Sequence, residues 1–509
     1  MTDLKVMYET TAKPGVAAPE PHKADPCALV LFGASGDLAR RKILPAIYNL
    51  ARDKALPEQF VLIGSSRSMK SADEFRMSMR DAIGRFSRTP LDEQVWRELA
   101  GHVDHLTGDP REPGVQAQLR ERLAEVDRVY DTQGHHVFCL ATPPSSMPSI
   151  IRQLGEAGLL ATPPGQGPRP FPRVIVEKPF GLSVAGQHEL NALLAQVDET
   201  QVFRIDHYLG KETVQNILVF RFGNSVFEPV WNSKYVDHVQ ITAAEEIGVE
   251  GRGQFYEETG VMRDVVQNHL LQVLSLCAME PPISFHADSI HDEKVKVLRS
   301  IRPMAADAIG RDAVFAQYRG YRGEPQVASD STTPTYAAMK VMIDNWRWRG
   351  VPFYLRAGKR LQSRLTEVTV AFQAIPFCLF GPLCPLIPRN ELRLRIQPDE
   401  GIALRFVSKE PGENMAVRPV TMDFSYARAF EKKPHEAYER LILDFMRGDQ
   451  TLFAGKLAVE LEWQFAMPVI DAWERRADGE IPIYEDGSAG PAEAEELIAR
   501  DGRSWRSLV

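Results

Sequence analysis

Within the stretch Arg204 to Glu212, RIDHYLGKE, an acid, an imidazole, a phenol and an ammonium fall inside six residues: Asp206, His207, Tyr208 and Lys211. Gly210 separates the first three from the lysine. A structural turn needs the glycine, not four side chains that ionise or hydrogen-bond. The run before it, Gln201 to Phe203, reads as a short strand, and Glu212 to Phe220 has helical spacing. The cluster therefore sits where a strand ends and a helix begins. Open α/β sheets place ligands there, and free backbone N–H groups attract anions there. A second constellation is Gly251-Arg252-Gly253 followed by Arg263 to His269, RDVVQNH. On an α-helix Asp264 and Asn268 share a face, and His269 is offset from Asp264 by about 140°. Taken alone, a histidine in an amphipathic helix is a satisfied structural residue.

These groups need elements to hold them. Ala28 to Phe32 is an apolar strand that runs into Gly33-Ala34-Ser35-Gly36-Asp37-Leu38-Ala39 and then a helix through Leu50. Strand, glycine turn and helix make the first unit of a dinucleotide fold, here spaced G-x-x-G-x-x-A and not G-x-G-x-x-G. Gly33 allows the tight turn, Gly36 close approach to a pyrophosphate, and Ala39 close helix packing. The next strand, Phe60 to Ile63, ends in Gly64-Ser65-Ser66-Arg67. An acid at this point favours NAD; Arg67 instead can pair with a 2′-phosphate. Ser71 to Glu74 is a capping box for a helix to about Phe86. Strands Val103 to Leu106 and His136 to Ala141 flank a charged helix, Gln116 to Tyr130, and Thr142-Pro143-Pro144 closes the second strand. Alternation of this kind predicts a parallel, doubly wound, Rossmann-like sheet. Ala161 to Pro172 is a surface loop. The strand Arg173 to Glu177 then leads into Lys178-Pro179-Phe180-Gly181, where the proline keeps Lys178 extended. Beyond Phe203 the segments Val236 to Thr242, Glu367 to Phe372, Glu391 to Ile396 and Gly401 to Phe406 alternate as half-buried antiparallel strands. Helical patterns intervene at Arg263 to Met279, His291 to Ser300, His435 to Arg447 and Leu457 to Trp473. The expected fold class is α/β plus α+β: a disordered tail over 1–26, a Rossmann-like coenzyme-binding domain over 27–204, and an α+β substrate and dimerisation domain over 205–509 with a large, mostly antiparallel sheet. An open face of that sheet is a natural dimer surface.

A chain of 509 residues exceeds one core. A net charge of −8 argues against nucleic-acid binding. No apolar run reaches the ~18 residues of a membrane span, and the proline-containing N-terminus lacks a signal-peptide segment. Five cysteines without a CxxC argue against a disulfide framework and against zinc, and fit a reducing cytoplasm. Cys378 and Cys384 flank a Pro-rich apolar loop.

RIDHYLGKE resembles the signature of the glucose-6-phosphate dehydrogenase family. GASGDLA resembles that family's coenzyme loop, Glu177 to Gly181 its EKPFG turn, and Gln267-Asn268-His269 its QNH motif. The resemblance covers nearly the whole chain. It implies oxidation of glucose 6-phosphate to 6-phosphogluconolactone with NADP, the first step of the oxidative pentose phosphate pathway, in a cytoplasmic homodimer or homotetramer. It implies His269 as general base and Asp206 as the acid that orients it. It places the coenzyme on Gly33, Ala34, Ser35, Gly36, Asp37, Leu38 and Arg67, with Lys178 reaching both coenzyme and substrate. His207, Tyr208 and Lys211 match a phosphate cradle, Glu245 and Asp264 match acids that bind sugar hydroxyls, and Lys359 matches a substrate lysine. A tyrosine that often follows the prolyl turn in the family is replaced by Met147. Arg364 and the run Ile396 to Gly401 are further matches; the run reads as a strand followed by a turn, with no catalytic role expected. The chemistry is coherent: the proton of the anomeric hydroxyl needs a base that is neutral near pH 7, which is imidazole, and a carboxylate on its far nitrogen fixes the tautomer. No metal is required. Two alternatives remain, a dehydrogenase of broader hexose-phosphate specificity and a non-catalytic NADPH-binding relative; the presence of both Asp206 and His269 argues against the second.

Overall fold

In the computed structural model, residues 24–162, 170–305, 307, 310–413, 415–430, 435–476 and 481–508 are described. The expected tail, up to residue 23, and most of the Pro-rich stretch after Ala161 lie outside them. Two sheets organise the chain. The first has six strands, all parallel: β1 (Cys27–Phe32), β2 (Phe60–Ser66), β3 (Val103–Thr107), β4 (His136–Leu140), β5 (Arg173–Glu177) and β6 (Val202–Ile205), in the order 3-2-1-4-5-6. This is the doubly wound order whose switch point lies between β1 and β4. β1 is buried on both faces, so it reads as a continuous apolar run. Ala28, Val30 and Phe32 face one core, and Cys27, Leu29 and Leu31 face the other.

The second sheet has nine strands: β7 (Val236–Ala244), β8 (Ala313–Tyr318), β9 (Tyr336–Met342), β10 (Pro352–Gly358), β11 (Leu365–Phe372), β12 (Glu391–Gln397), β13 (Gly401–Lys409), β14 (Val417–Ser425) and β15 (Ile483–Tyr484). Their spatial order is 14-13-12-11-7-10-9-8-15. Only the β7–β10 and β8–β15 pairings are parallel, so the sheet is mostly antiparallel. One apolar core runs from Val30 and Phe138 of the first sheet, through helix residues such as Leu271 and Leu274, to Val239, Leu355 and Val368 of the second. The chain also returns to its start: Tyr438, Leu441 and Phe445, on the helix Ala437–Arg447, complete the other core of the first sheet. The helices Glu93–Ala100, Met147–Glu156 and Val184–Leu194 add to those expected.

Two expectations are corrected. Cys378 and Cys384 form a disulfide, with their Cα atoms 5.8 Å apart. The turn over Gly381–Leu386 folds the loop back on itself, a proximity that sequence spacing did not reveal. The predicted helix from Arg263 is not uniformly α-helical. Met262–Leu270 is a π-helix between the α-helices Gly253–Val261 and Leu271–Ala278. With hydrogen bonds to the fifth residue on, each turn is wider, and Asp264 and His269 both line the cleft. Asp264 and His269 therefore share a face, and the 140° offset does not apply.

The loop after β1 depends on Gly33. Its φ is +79°, and a Cβ there would lie 2.5 Å from the Ala141 carbonyl oxygen. Gly33→Ala should lower unfolding stability by about 2 kcal/mol or more, read as a reduced urea midpoint with unchanged m-value. A midpoint equal to that of the unmutated chain would mean the loop is free to rearrange.

Candidate active site

A cleft of about 810 Å³ opens between the two sheets. Its floor is built by the turn after β6 and by the π-helix. β6 ends at Ile205, and the helix Glu212–Phe222 begins with Lys211 as N-cap, so the polar cluster occupies the strand-to-helix turn as expected. Asp206 is fully buried, and its Oδ1 accepts the Tyr208 N–H at 2.9 Å. The same oxygen lies 2.5 Å from His269 Nδ1. Nδ1–H thus donates to the carboxylate, and Nε2 is left as the proton acceptor. The Tyr208 ring stacks on His269 at 4.2 Å between centroids, and the His207 ring meets it edge-on at 4.5 Å. Two aromatic contacts and one ion-pair partner therefore hold this imidazole.

Electrostatics separates the two members of the pair. Burial works to raise the Asp206 carboxyl, but His269, the Tyr208 amide and Lys178 together pull it below its ordinary value. Burial lowers His269, and Asp206 opposes this. The outcome is a carboxylate beside a neutral ring. His207 is pushed well below its ordinary value by burial and by the neighbouring His269, Lys178, Lys211 and Lys42. Lys178 donates to Asp264 Oδ1 at 2.6 Å and to the Asp264 carbonyl at 2.8 Å. Burial opposes ionisation of Asp264, yet Lys178 and then Lys359 hold it well below the carboxylate range. Lys359 pairs with Glu245 and lies over the Tyr256 ring. All of these expected residues, His207, Tyr208, Lys211, Glu245, Asp264, His269, Lys178 and Lys359, line the one cleft.

Lys211 and Arg364 also line the cleft, with Glu400 and Glu436 among their neighbours. Burial, then Arg364, pushes the Lys211 ammonium down to about 8, against the pull of Glu400. Lys211 donates to Gln397 Oε1, and Gln397 Nε2 donates to Thr366 Oγ1 at 3.0 Å. Gln397 lies in the matched run Ile396 to Gly401, for which no catalytic role was expected, and Thr366 was not singled out; sheet pairing sets Thr366 opposite Gln397. Tyr438 was also missed. Its hydroxyl donates to Glu177 at 2.9 Å, its ring lies parallel to His207, and it lines the cleft. Burial pushes the Glu177 carboxyl up to about 7.

The expected coenzyme residues lie at the open ends of β1 and β2. Gly33 and Ala34 donate their N–H groups to the Ser65 carbonyl, and Ser35 and Asp37 are exposed. Arg67 follows β2 with its side chain exposed, 3.9 Å from Asp109. Met147 is buried in the core below this face, so no ring-facing surface is left at that position. The Asp206, His207 and His269 ligand atoms lie within 4.8 Å of one another, a span that suits a metal ion. Asp206 Oδ1 and His269 Nδ1 are already committed to each other.

Residues 30–216 match the family model "Glucose-6-phosphate dehydrogenase, NAD binding domain", and residues 218–506 match "Glucose-6-phosphate dehydrogenase, C-terminal domain". The chain belongs to the glucose-6-phosphate dehydrogenase family. It is 44% identical over 503 residues to glucose-6-phosphate 1-dehydrogenase of Chlamydia pneumoniae, covering 96% of this chain and 97% of that protein. It is 46% identical over 498 residues to glucose-6-phosphate 1-dehydrogenase 2 of Mycobacterium bovis, covering 96% and 95%. Among solved structures, a glucose-6-phosphate dehydrogenase in complex with its substrate glucose 6-phosphate superimposes with a TM-score of 0.84 at 34% identity, covering 95% of this chain and 99% of that one. The glucose-6-phosphate dehydrogenase fold thus extends over both sheets and the cleft between them.

The depressed His207 carries a pH signature. In the unfolded chain a histidine takes up a proton near pH 6.5, whereas the folded site refuses it. Stability from this group is therefore lost as pH falls through about 6.5. His207→Gln should gain about 2 kcal/mol relative to the unmutated chain between about pH 7.5 and pH 5, measured by urea unfolding. A parallel pH dependence of the two proteins would contradict a neutral His207.

Proposed function

We propose that this protein oxidises glucose 6-phosphate to 6-phosphogluconolactone with NADP, as a cytoplasmic homo-oligomer. The observation that carries this is the His269–Asp206 pair facing a cleft that Lys211 and Arg364 also line. The family membership and the substrate bound by the structural relative support the same substrate.

His269 Nε2 takes the proton of the anomeric hydroxyl as the C1 hydride leaves. Asp206 fixes the tautomer and stabilises the imidazolium that forms. NADP, when bound, supplies the hydride acceptor. The residues fit it: the Gly33 turn has no room for a Cβ, and the exposed Arg67 guanidinium suits a 2′-phosphate. Gly33 to Leu38 would hold the pyrophosphate, and Lys178 would sit between coenzyme and sugar. Glu245, Asp264 and Lys359 would bind sugar hydroxyls. Lys211, with His207 and Tyr208, would hold the 6-phosphate: an ammonium lowered by burial and by Arg364 gains from a dianion. Strand β14 forms one edge of the large sheet, with Met422 62% exposed, a surface suited to a second copy.

NADPH appearance with glucose 6-phosphate tests the activity directly; no NADPH from the purified protein would contradict it. Lys211→Ala should raise KM for glucose 6-phosphate by roughly 10- to 150-fold, the range for a lost hydrogen bond to a charged group. kcat should fall less, and kcat/KM for free glucose should barely change. Equal losses on the two sugars would move the phosphate site away from Lys211.

A further inference from the structure

Beside the proposed base stands Asn268, which is buried and is not among the residues lining the cleft. Both ends of its amide are committed inside the π-turn that carries His269. Nδ2 donates to the Arg263 carbonyl at 2.8 Å, reaching back five residues. Oδ1 accepts the backbone N–H of His269 at 2.8 Å. One side chain thus ties the start of the turn to the residue that takes the proton. The amide has only one workable orientation. Turned over, its oxygen would meet the Arg263 carbonyl and its NH₂ would meet an N–H.

The turn needs such a tie. α-Helices flank it on both sides, Gly253–Val261 and Leu271–Ala278, so the ordinary α form is the natural competitor. In a π-turn the carbonyls of Arg263 and Asp264 face the N–H groups of Asn268 and His269, five residues on; in an α-turn they would face Gln267 and Asn268. Each of these carbonyls gains a side-chain donor: Asn268 Nδ2 on Arg263, and Lys178 Nζ on Asp264 at 2.8 Å. The start of the turn is itself anchored. The Arg263 guanidinium donates to the Leu182 carbonyl at 3.0 Å and to Glu474 Oε1 at 3.1 Å. His269 is then held by two side-chain oxygens from different elements. Asn268 Oδ1 takes its N–H, and Asp206 Oδ1, beyond the end of β6, lies 2.5 Å from its ring Nδ1.

We infer that Asn268 is a positioning residue for the proposed reaction: its amide, bridging the Arg263 carbonyl and the His269 N–H, locks the π-turn in the form that sets His269 against Asp206. This rests on the assignment of His269 as base. Without the amide the turn relaxes, the His269 ring leaves Asp206 Oδ1, and Nε2 moves off the hydroxyl it must deprotonate. A misplacement of about 1 Å costs roughly 10² in rate. The grip on the substrate is spread over other elements, with Lys211, Lys359 and Arg364 all lining the cleft. Loss of the amide therefore falls on kcat more than on KM.

The test is Asn268→Leu in the full-length protein, close in shape to asparagine but unable to hydrogen-bond. Steady-state kinetics with glucose 6-phosphate and NADP should show kcat lower by about 10², with KM changed far less. A crystal structure of the variant should show His269 Nδ1 beyond hydrogen-bond reach of Asp206. A lower urea midpoint with kcat unchanged and His269 still on Asp206 reduces Asn268 to a packing residue and overturns the inference. A fall in kcat with the His269–Asp206 bond intact overturns it too. Asn268→Ala, which removes the amide without adding bulk, takes the place of Asn268→Leu if that variant does not fold. If neither folds, a crystal structure of the unmutated protein decides. Both amide bonds in place support the inference; an amide out of reach of the Arg263 carbonyl or the His269 N–H overturns it. Inactivity of the unmutated protein, or a displaced His269 with kcat unchanged, counts against the proposed function, whereas an active variant with His269 in place counts against Asn268 alone.

Discussion

The structure depends on one short contact, between the carboxylate of Asp206 and the ring of His269. Asp206 ends the last strand of the first sheet, and His269 belongs to a π-helical turn packed against the second. Neither group tolerates burial alone. A lone carboxylate there would protonate, and a lone imidazole would have no fixed tautomer. Together they tie the two sheets at the floor of the cleft. The continuous apolar core around Leu271 and Leu274 gives that tie a rigid setting.

The remaining charges follow from this constraint. Acids and bases around the cleft are paired across elements: Lys178 with Asp264 and Lys359 with Glu245. Lys211 and Arg364 stand near each other in the cleft lining, with Glu400 and Glu436 beside them. A neutral base and a lysine beside an arginine in one cleft suit a sugar whose reacting carbon and phosphate lie apart. The π-turn is what makes this geometry possible. On a regular helix Asp264 and His269 would lie about 140° apart.

Much of this was legible in the sequence because it is local. Gly33 to Ala39 and Arg204 to Glu212 carry their turn, charge and helix signals within a few residues. Strands β1 to β6 alternate with helices in a pattern that allows few topologies. The rest was hidden for physical reasons. β8, β9 and β10 are buried on both faces, so they lack the alternation that marks a strand. The π-turn has no residue signature to separate it from an α-helix. Tyr438 is a single position on a helix face, and only the tertiary packing brings it to the cleft. Cys378 and Cys384 meet because a short turn folds back, which their spacing did not show.

The account stands on His269 as the base, and His269→Asn tests that most directly. Steady-state kinetics with glucose 6-phosphate and saturating NADP should show kcat reduced by about 10²–10⁴, the usual worth of a general base, while KM moves little. A variant that kept more than about a tenth of the unmutated kcat would leave His269 without the proton to carry, and would remove the Asp206–His269 pair from the chemistry.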